Sequence, residues 1–327
     1  MNTFYAHPQL SEVTMQDSFW TPYVEGIRDI MIPYCFEKFQ EKGYLQNLQS
    51  VASQDGAKHI GPPFSDGLLL ETMTGAVGQD FTHYYYDNPL VNDGTKNRWD
   101  WHACPCCPPM LSKVYSSLPT FIYSYNANEI CVNMYIGSTL RTSSFSIGQS
   151  DKKFRITLNE GTKKVCFRIP QYAKDFQLQA GDENLPFDTE NGYAVVMLQE
   201  GTTEITVSFG WKLAEICINP KVQDNKGKVC VMHGPYLMCA EGIDNHLDVN
   251  FTIAENPQYK MNKDQIQLLA ADGREAVLIP YYKRNNRVGD DPKASAMAVW
   301  FAKENMKSLS EVEAITGPHL YGYYHLY

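Results

Sequence analysis

Residues 193–209 read YAVVMLQEGTTEITVSF. Two short runs, YAVVML (193–198) and EITVSF (204–209), are rich in β-branched and aromatic residues and flank a polar, turn-forming stretch. That is the pattern of strands laying one face on a core. Similar runs recur at close intervals from Tyr123 onward: ICVNMYIG (130–137), FRITL (154–158) and KVCFRIP (164–170). Turn residues separate them, and the series predicts a β-sandwich over 128–213. A second β-rich stretch, 214–302, contains KVCVMHGPYLMCAEG (228–242), AVLIPYY (276–282) and AMAVWFA (296–302) and predicts a second sandwich. The tail, 303–327, ends in GPHLYGYYHLY, which fits neither pattern.

Upstream the texture is different. FWTPYVEGIRDIMIPYCFEKFQEKGYLQN (19–47) has apolar residues at helical spacing with Pro22 and Pro33 as punctuation, so one or two helices split near Pro33 are expected. Residues 49–67 carry Gly, Ser, Asp and Pro62-Pro63 without a period and predict a long connection. Leu68–Ala76 predicts a short helix, Thr82–Tyr86 a strand, and Pro108-Pro109 the opening of a helix from Met110 to about Leu118. Met110, Leu111 and Val114 are expected in its core. The chain is thus α+β and multidomain: 1–127 helical, 128–213 and 214–302 β-sandwiches, and 303–327 a tail.

Composition narrows the function. Of 327 residues, 20% are charged, 43% hydrophobic and 13% aromatic, which is globular rather than disordered composition. The net charge is −9 and no basic run interrupts it, so nucleic acid is not an expected partner. No stretch approaches the roughly 18 to 20 apolar residues of a membrane span, and Met1–Pro8 lacks the basic and apolar regions of a signal peptide. A cytoplasmic protein without a membrane partner is expected.

The nine cysteines do not form a disulfide framework: six are scattered and three cluster at Cys104, Cys106 and Cys107 within RWDWHACPCCPP (98–109). Thiolates are soft donors that suit zinc, and flanking prolines favour the kink that lets adjacent cysteines reach one ion. A zinc-bound thiolate also stays deprotonated and can serve as a nucleophile. Buried, reduced cysteines that only pack are the competing reading. His83 and His233 in strand-like text, Glu71 after Leu68-Leu69-Leu70, and a Tyr84-Tyr85-Tyr86 run able to stack on sugar rings are further candidates. Each also has an ordinary structural explanation.

At Cys106-Cys107-Pro108-Pro109 the sequence resembles glycoside hydrolase family 127, the β-L-arabinofuranosidase family. Further anchors follow in the family's order: DSFWTPYVEGIRDIMIPYCFEK (17–38), GPPFSD (61–66), THYYYDNPL (82–90), VNMYIGS (132–138), FRIPQYA (167–173), NPKVQDNKGKVCVMHGPYLMCAEGIDN (219–245), IPYYKRNNR (279–287) and AMAVW (296–300). The resemblance implies a catalytic (α/α)6 barrel followed by β-sandwich domains, with a zinc held by one glutamate and three cysteines. It implies Cys106 as nucleophile and zinc ligand, forming a glycosyl thioether, and Cys107 as ligand; by proximity rather than by resemblance, Cys104, His102 or a residue remote in sequence is expected to complete the coordination. The implied substrates are arabinofuranosyl glycans of plant type.

The barrel is expected as a remnant. A dozen helices of about 11 residues with loops of about 5 need roughly 190 residues, whereas only Gly67–Phe81 separate GPPFSD from THYYYDNPL. Glu71-Thr72-Met73 is the nearest text to the family's Glu-Thr-Cys segment, with methionine where the ligand cysteine stands, so the acid/base role is not carried onto Glu71. Met110 stands where the family has asparagine after the two prolines. Two further readings are a catalytically inactive, internally deleted paralogue whose β-sandwiches bind carbohydrate or protein, and a zinc-stabilised structural module. Helices stripped of barrel neighbours would expose apolar faces and favour homo-oligomers.

Overall fold

The computed structural model describes residues 6–42, 78–83, 90–95, 98–101, 107–217, 225–289 and 291–305. The expected connection over 49–67, the helix over 68–76, Tyr84–Tyr86, Cys104, Cys106 and the tail beyond Asn305 lie outside these residues. The protein is a mixed α and β chain built mostly of sheet with few helices. Among the described residues no helix is long and apolar enough to cross a membrane.

Contacts divide the chain into two compact units, each made of two stretches: 1–75 with 101–210, and 76–100 with 211–327. The stretch expected as a helical part, 1–127, is therefore shared between them.

In the first unit, helix Trp20–Gly26 runs through a π-helical turn, Ile27–Met31, into helix Ile32–Glu41. The split expected near Pro33 is this widened turn. Proline has no N–H to bond the carbonyl four residues back and its ring crowds that carbonyl, so the turn before it expands. The entry is capped by Asp17, whose Oδ1 accepts from the backbone N–H of Phe19 and Trp20, both at 2.8 Å.

The sheet of this unit joins ten strands. It differs from the expected series of short strands in one respect. FRITL and KVCFRIP belong to a single strand, Lys153–Arg168, and YAVVML and EITVSF to another, Tyr193–Trp211, paired antiparallel along their length. The polar stretches between the runs are not turns but the site of a register shift between Gln199 and Gly201. A bulge changes which face successive residues present. Hence Phe154, Ile156 and Leu158 share one core with Val165 and Phe167, and Val196 and Leu198 with Ile205 and Val207, although the parity of the inward positions changes across the bulge. The run at 130–137 is strand only over Glu129–Val132; Asn133–Gly137 leaves the sheet before the strand Ser138–Arg141.

In the second unit, strand Lys228–His233 pairs antiparallel with Leu213–Cys217 and turns into Tyr236–Glu241. Tyr236–Glu241 pairs in turn with Glu275–Pro280 and Met297–Ala298. Val229, Val231, Met238, Ala240, Ile266, Leu278 and Phe301 form its core. A two-residue strand, Val91–Asn92, adds to the edge at Met297–Ala298. Beside it Gly94 holds φ +91°, and a Cβ there would fall 1.7 Å from the Pro292 carbonyl oxygen, so only glycine fits that approach.

Candidate functional site

The cysteine cluster is framed by two anchored ends. On the C-terminal side, helix Cys107–Ser117 starts with Cys107 and the two prolines, three residues earlier than the sequence suggested. Proline is tolerated in a first turn because N–H groups there have no intrahelical acceptor. Ser112 Oγ donates to the Pro108 carbonyl oxygen at 3.0 Å and ties that turn down. Tyr115 stacks on Tyr23, 6.0 Å between centroids at 18°, and burial pushes its hydroxyl pKa up to about 12, with Tyr23 adding to the shift. Leu111 is buried as expected and Met110 is half-buried. Val114 is 40% exposed and is not core, because it lies at the flank of the helix side that buries Leu111.

On the N-terminal side, the Trp101 ring meets Phe39 edge-on at 5.5 Å and Tyr34 at 6.4 Å. Both ends of the segment 102–106 are thus docked on the helical pair Trp20–Glu41. Of the cysteines themselves, Cys104, Cys106 and the side chain of Cys107 lie outside the described residues. Among the described residues no three His, Cys, Asp or Glu side chains are gathered to hold a metal.

The second unit carries an open polar pocket of about 320 Å³ that the sequence did not reveal as a site, lined by Asp80, His83, Arg98, Asn285 and Asn286 among others. Thr82 and His83 do not begin a strand. Asp80 ends a turn by accepting from the N–H of Thr82 at 3.1 Å and of His83 at 3.2 Å, and Asp80 Oδ2 lies 2.5 Å from His83 Nδ1. Burial works to raise the Asp80 pKa, but the hydrogen bonds from His83 and Thr82 together outweigh it and the net shift is downward. Arg98 donates to the carbonyl oxygens of Asn285 at 3.0 Å and Arg284 at 2.8 Å. Arg98 sits in the quoted RWDWHACPCCPP segment, which was the available signal, but its partners lie near residue 285 and no local pattern links them. His233, the other candidate histidine, packs edge-on against Trp211 at 5.2 Å, and burial lowers its pKa.

A third feature lies on the sheet of the first unit. Cys131 and Cys166 are direct partners where Glu129–Val132 runs parallel to Lys153–Arg168, and both line a pocket of about 340 Å³.

The fold is that of a sheet-dominated α and β protein. It aligns with a GH127 β-arabinofuranosidase at a TM-score of 0.59 and 24% identity, over 70% of this chain and 43% of that one. A GH127 β-L-arabinofuranosidase from Geobacillus stearothermophilus T6 aligns at 0.59 and 22% identity, over 70% and 44%. Family models match residues 68–120 as the β-L-arabinofuranosidase GH127 catalytic domain and residues 214–302 as the glycoside hydrolase family 127 C-terminal domain. A non-reducing end β-L-arabinofuranosidase of Bifidobacterium longum subsp. longum is 24% identical over 223 residues, 59% of this chain and 34% of the relative. Over residues 68–120 and 214–302, together less than half of its length, the chain is similar to glycoside hydrolase family 127. It spans about a third of the length of that curated relative and less than half of the two solved chains.

Proposed function

We propose that the chain is a retaining glycoside hydrolase of the β-L-arabinofuranosidase type, with Cys106 as nucleophile. The observation that carries the reading is the sequence Cys106-Cys107-Pro108-Pro109, whose last three residues open the helix Cys107–Ser117, inside the stretch matched by the catalytic-domain model.

The thiol must be deprotonated to attack. A helix start normally helps through its free N–H groups, but Pro108 and Pro109 have none, so this helix offers a thiolate fewer donors than usual. Zinc would supply that stabilisation, and three thiols, Cys104, Cys106 and Cys107, suit it. Zinc, when bound, keeps its thiol ligands deprotonated at neutral pH. Cys106 Sγ then attacks the anomeric carbon, the aglycone oxygen departs, and water releases the sugar from the thioether with overall retention.

This reading assigns no acid/base residue; Glu71 lies outside the described residues. Turnover should therefore depend steeply on the leaving group, since acid/base help is typically worth about 10² to 10⁴-fold. The test is hydrolysis of a series of aryl β-L-arabinofuranosides of graded phenol acidity by zinc-loaded, reduced protein beside Cys106→Ser. Release from the most activated member by the parent alone supports the reading. No release from folded, zinc-replete parent, or equal release by the variant, defeats it.

A further inference from the structure

Four of the six described cysteines are core filler. Cys35, Cys217, Cys230 and Cys239 are buried, and burial raises each thiol pKa, that of Cys35 and Cys230 to about 12. Cys131 and Cys166 are buried as well, but they are placed differently. Their chain neighbours Ile130, Val132, Val165 and Phe167 belong to the main core of the first unit, so alternation turns both thiols to the opposite face of the sheet. There they form a small separate cluster with Val195 and Tyr193 and open onto the 340 Å³ pocket.

Their surroundings distinguish the two thiols. The Cys166 thiol donates toward Cys131, and that bond lowers the Cys131 pKa against the effect of burial, with Ser124 and Lys164 adding to the lowering and Glu129 opposing it. The same contact and burial raise Cys166. Lys164 stands at the rim, held by Glu129 at 2.8 Å and Glu190 at 2.5 Å. Directly opposed residues of neighbouring strands lie about 4.8 Å apart, inside the Cα separation of about 4.4 to 6.8 Å that a disulfide spans.

We propose that Cys131 and Cys166 form a thiol–disulfide exchange site that takes small organic disulfides of the glutathione type and closes to an intramolecular bond. Cys131 thiolate attacks one sulfur of the disulfide, and the other sulfur leaves as a thiolate. Cys166, on losing its proton, attacks the Cys131 sulfur of the mixed disulfide and expels the second thiolate. Both leaving thiolates take up protons. The protein is oxidised by two electrons, and one small disulfide becomes two thiols. The pocket is of small-molecule size, which suits that oxidant class.

The full chain, folded and reduced, is incubated with oxidised glutathione, quenched with acid, and digested without reduction for mass mapping. The expected product is a peptide pair joined through Cys131 and Cys166, lighter by two hydrogens. Cys166→Ala should retain glutathione on Cys131, and Cys131→Ala should abolish the cross-link. Free thiols at both positions after other cysteines have reacted would overturn the site, as would a cross-link that forms only in urea. The parent mapping needs no variant, so it decides the matter even where a variant folds poorly. Mapping also separates this pair from any adduct at Cys104, Cys106 or Cys107.

Discussion

Arg98 and Arg284, 186 positions apart, are joined by a 2.8 Å hydrogen bond from the guanidinium of the first to the carbonyl oxygen of the second. The same guanidinium reaches the Asn285 carbonyl oxygen at 3.0 Å, so one side chain holds two successive backbone acceptors. Arg284 is itself buried, its guanidinium 3.7 Å from the centre of the Tyr281 ring. Hydrogen bonds from a charged donor contribute about 1.5 to 3 kcal/mol each, and a fork that spans two carbonyls loses both at once. Arg98→Ala should lower stability by about 2 to 3 kcal/mol in urea unfolding. Arg98→Lys should recover only part, because a single ammonium lacks the planar fork. An unchanged midpoint in Arg98→Ala would show that the contact contributes nothing net.

That relationship also marks the limit of what the sequence disclosed. Period-two runs such as Glu204–Phe209 announce sheet because one buried face repeats locally, and the two helical segments were visible for the same reason. The continuity of Lys153–Arg168 was hidden. Asn159–Lys164 is polar and resembles a turn, whereas the structure keeps it in the strand opposite the bulge at Gly201. The cysteine cluster was legible because its residues are adjacent. The Cys131–Cys166 pair was half legible: each cysteine lies between two core residues and so faces outward, but the register that pairs them is a long-range property. Asp80, Arg98 and Asn285 meet only through folding, and nothing local foretells it.

Gly201 adopts φ +116°, with nothing within 4 Å of where a Cβ would stand. A substitution there meets no steric obstacle, and its cost is conformational alone. Gly201→Ala should destabilise by about 1 to 3 kcal/mol, the usual penalty for a non-glycine residue in a sparsely populated backbone region. Gly181→Ala, at φ +62° in the left-handed region that other residues reach at modest cost, also with open space, should lose less in chemical denaturation. Equal losses would show that the φ of Gly201 adds no cost of its own.

Glu215 and Lys303 form a buried ion pair, 2.9 Å from Oε1 to Nζ, with side chains 0% and 5% exposed. Tyr259 donates to the same oxygen at 2.7 Å. Removing one partner leaves a buried charge uncompensated, which costs about 3 to 5 kcal/mol, whereas replacing both is often close to neutral. Lys303→Met should therefore be severely destabilising, and Glu215→Gln combined with Lys303→Met less so. A double-mutant cycle by thermal unfolding reads the coupling. A double variant as unstable as the sum of the singles would remove the pair from the account.

His233 supplies a pH-dependent contribution whose sign is fixed by its burial. Its pKa in the folded chain lies below the ordinary value of 6.5, with desolvation against Trp211 as the cause. The unfolded chain therefore takes up a proton at a pH where the folded chain does not. The contribution is complete above the unfolded value and is lost as pH falls through 6.5 towards the folded pKa. His233→Phe keeps an aromatic ring against Trp211 and removes the proton site. Between about pH 7.5 and about pH 5.5 the urea midpoint of the parent should fall more than that of the variant. Trp fluorescence of the folded parent should register protonation only below pH 6.5, because the charged imidazole would then lie against the Trp211 indole. Parallel midpoint curves for the two proteins would mean that His233 titrates alike in both states.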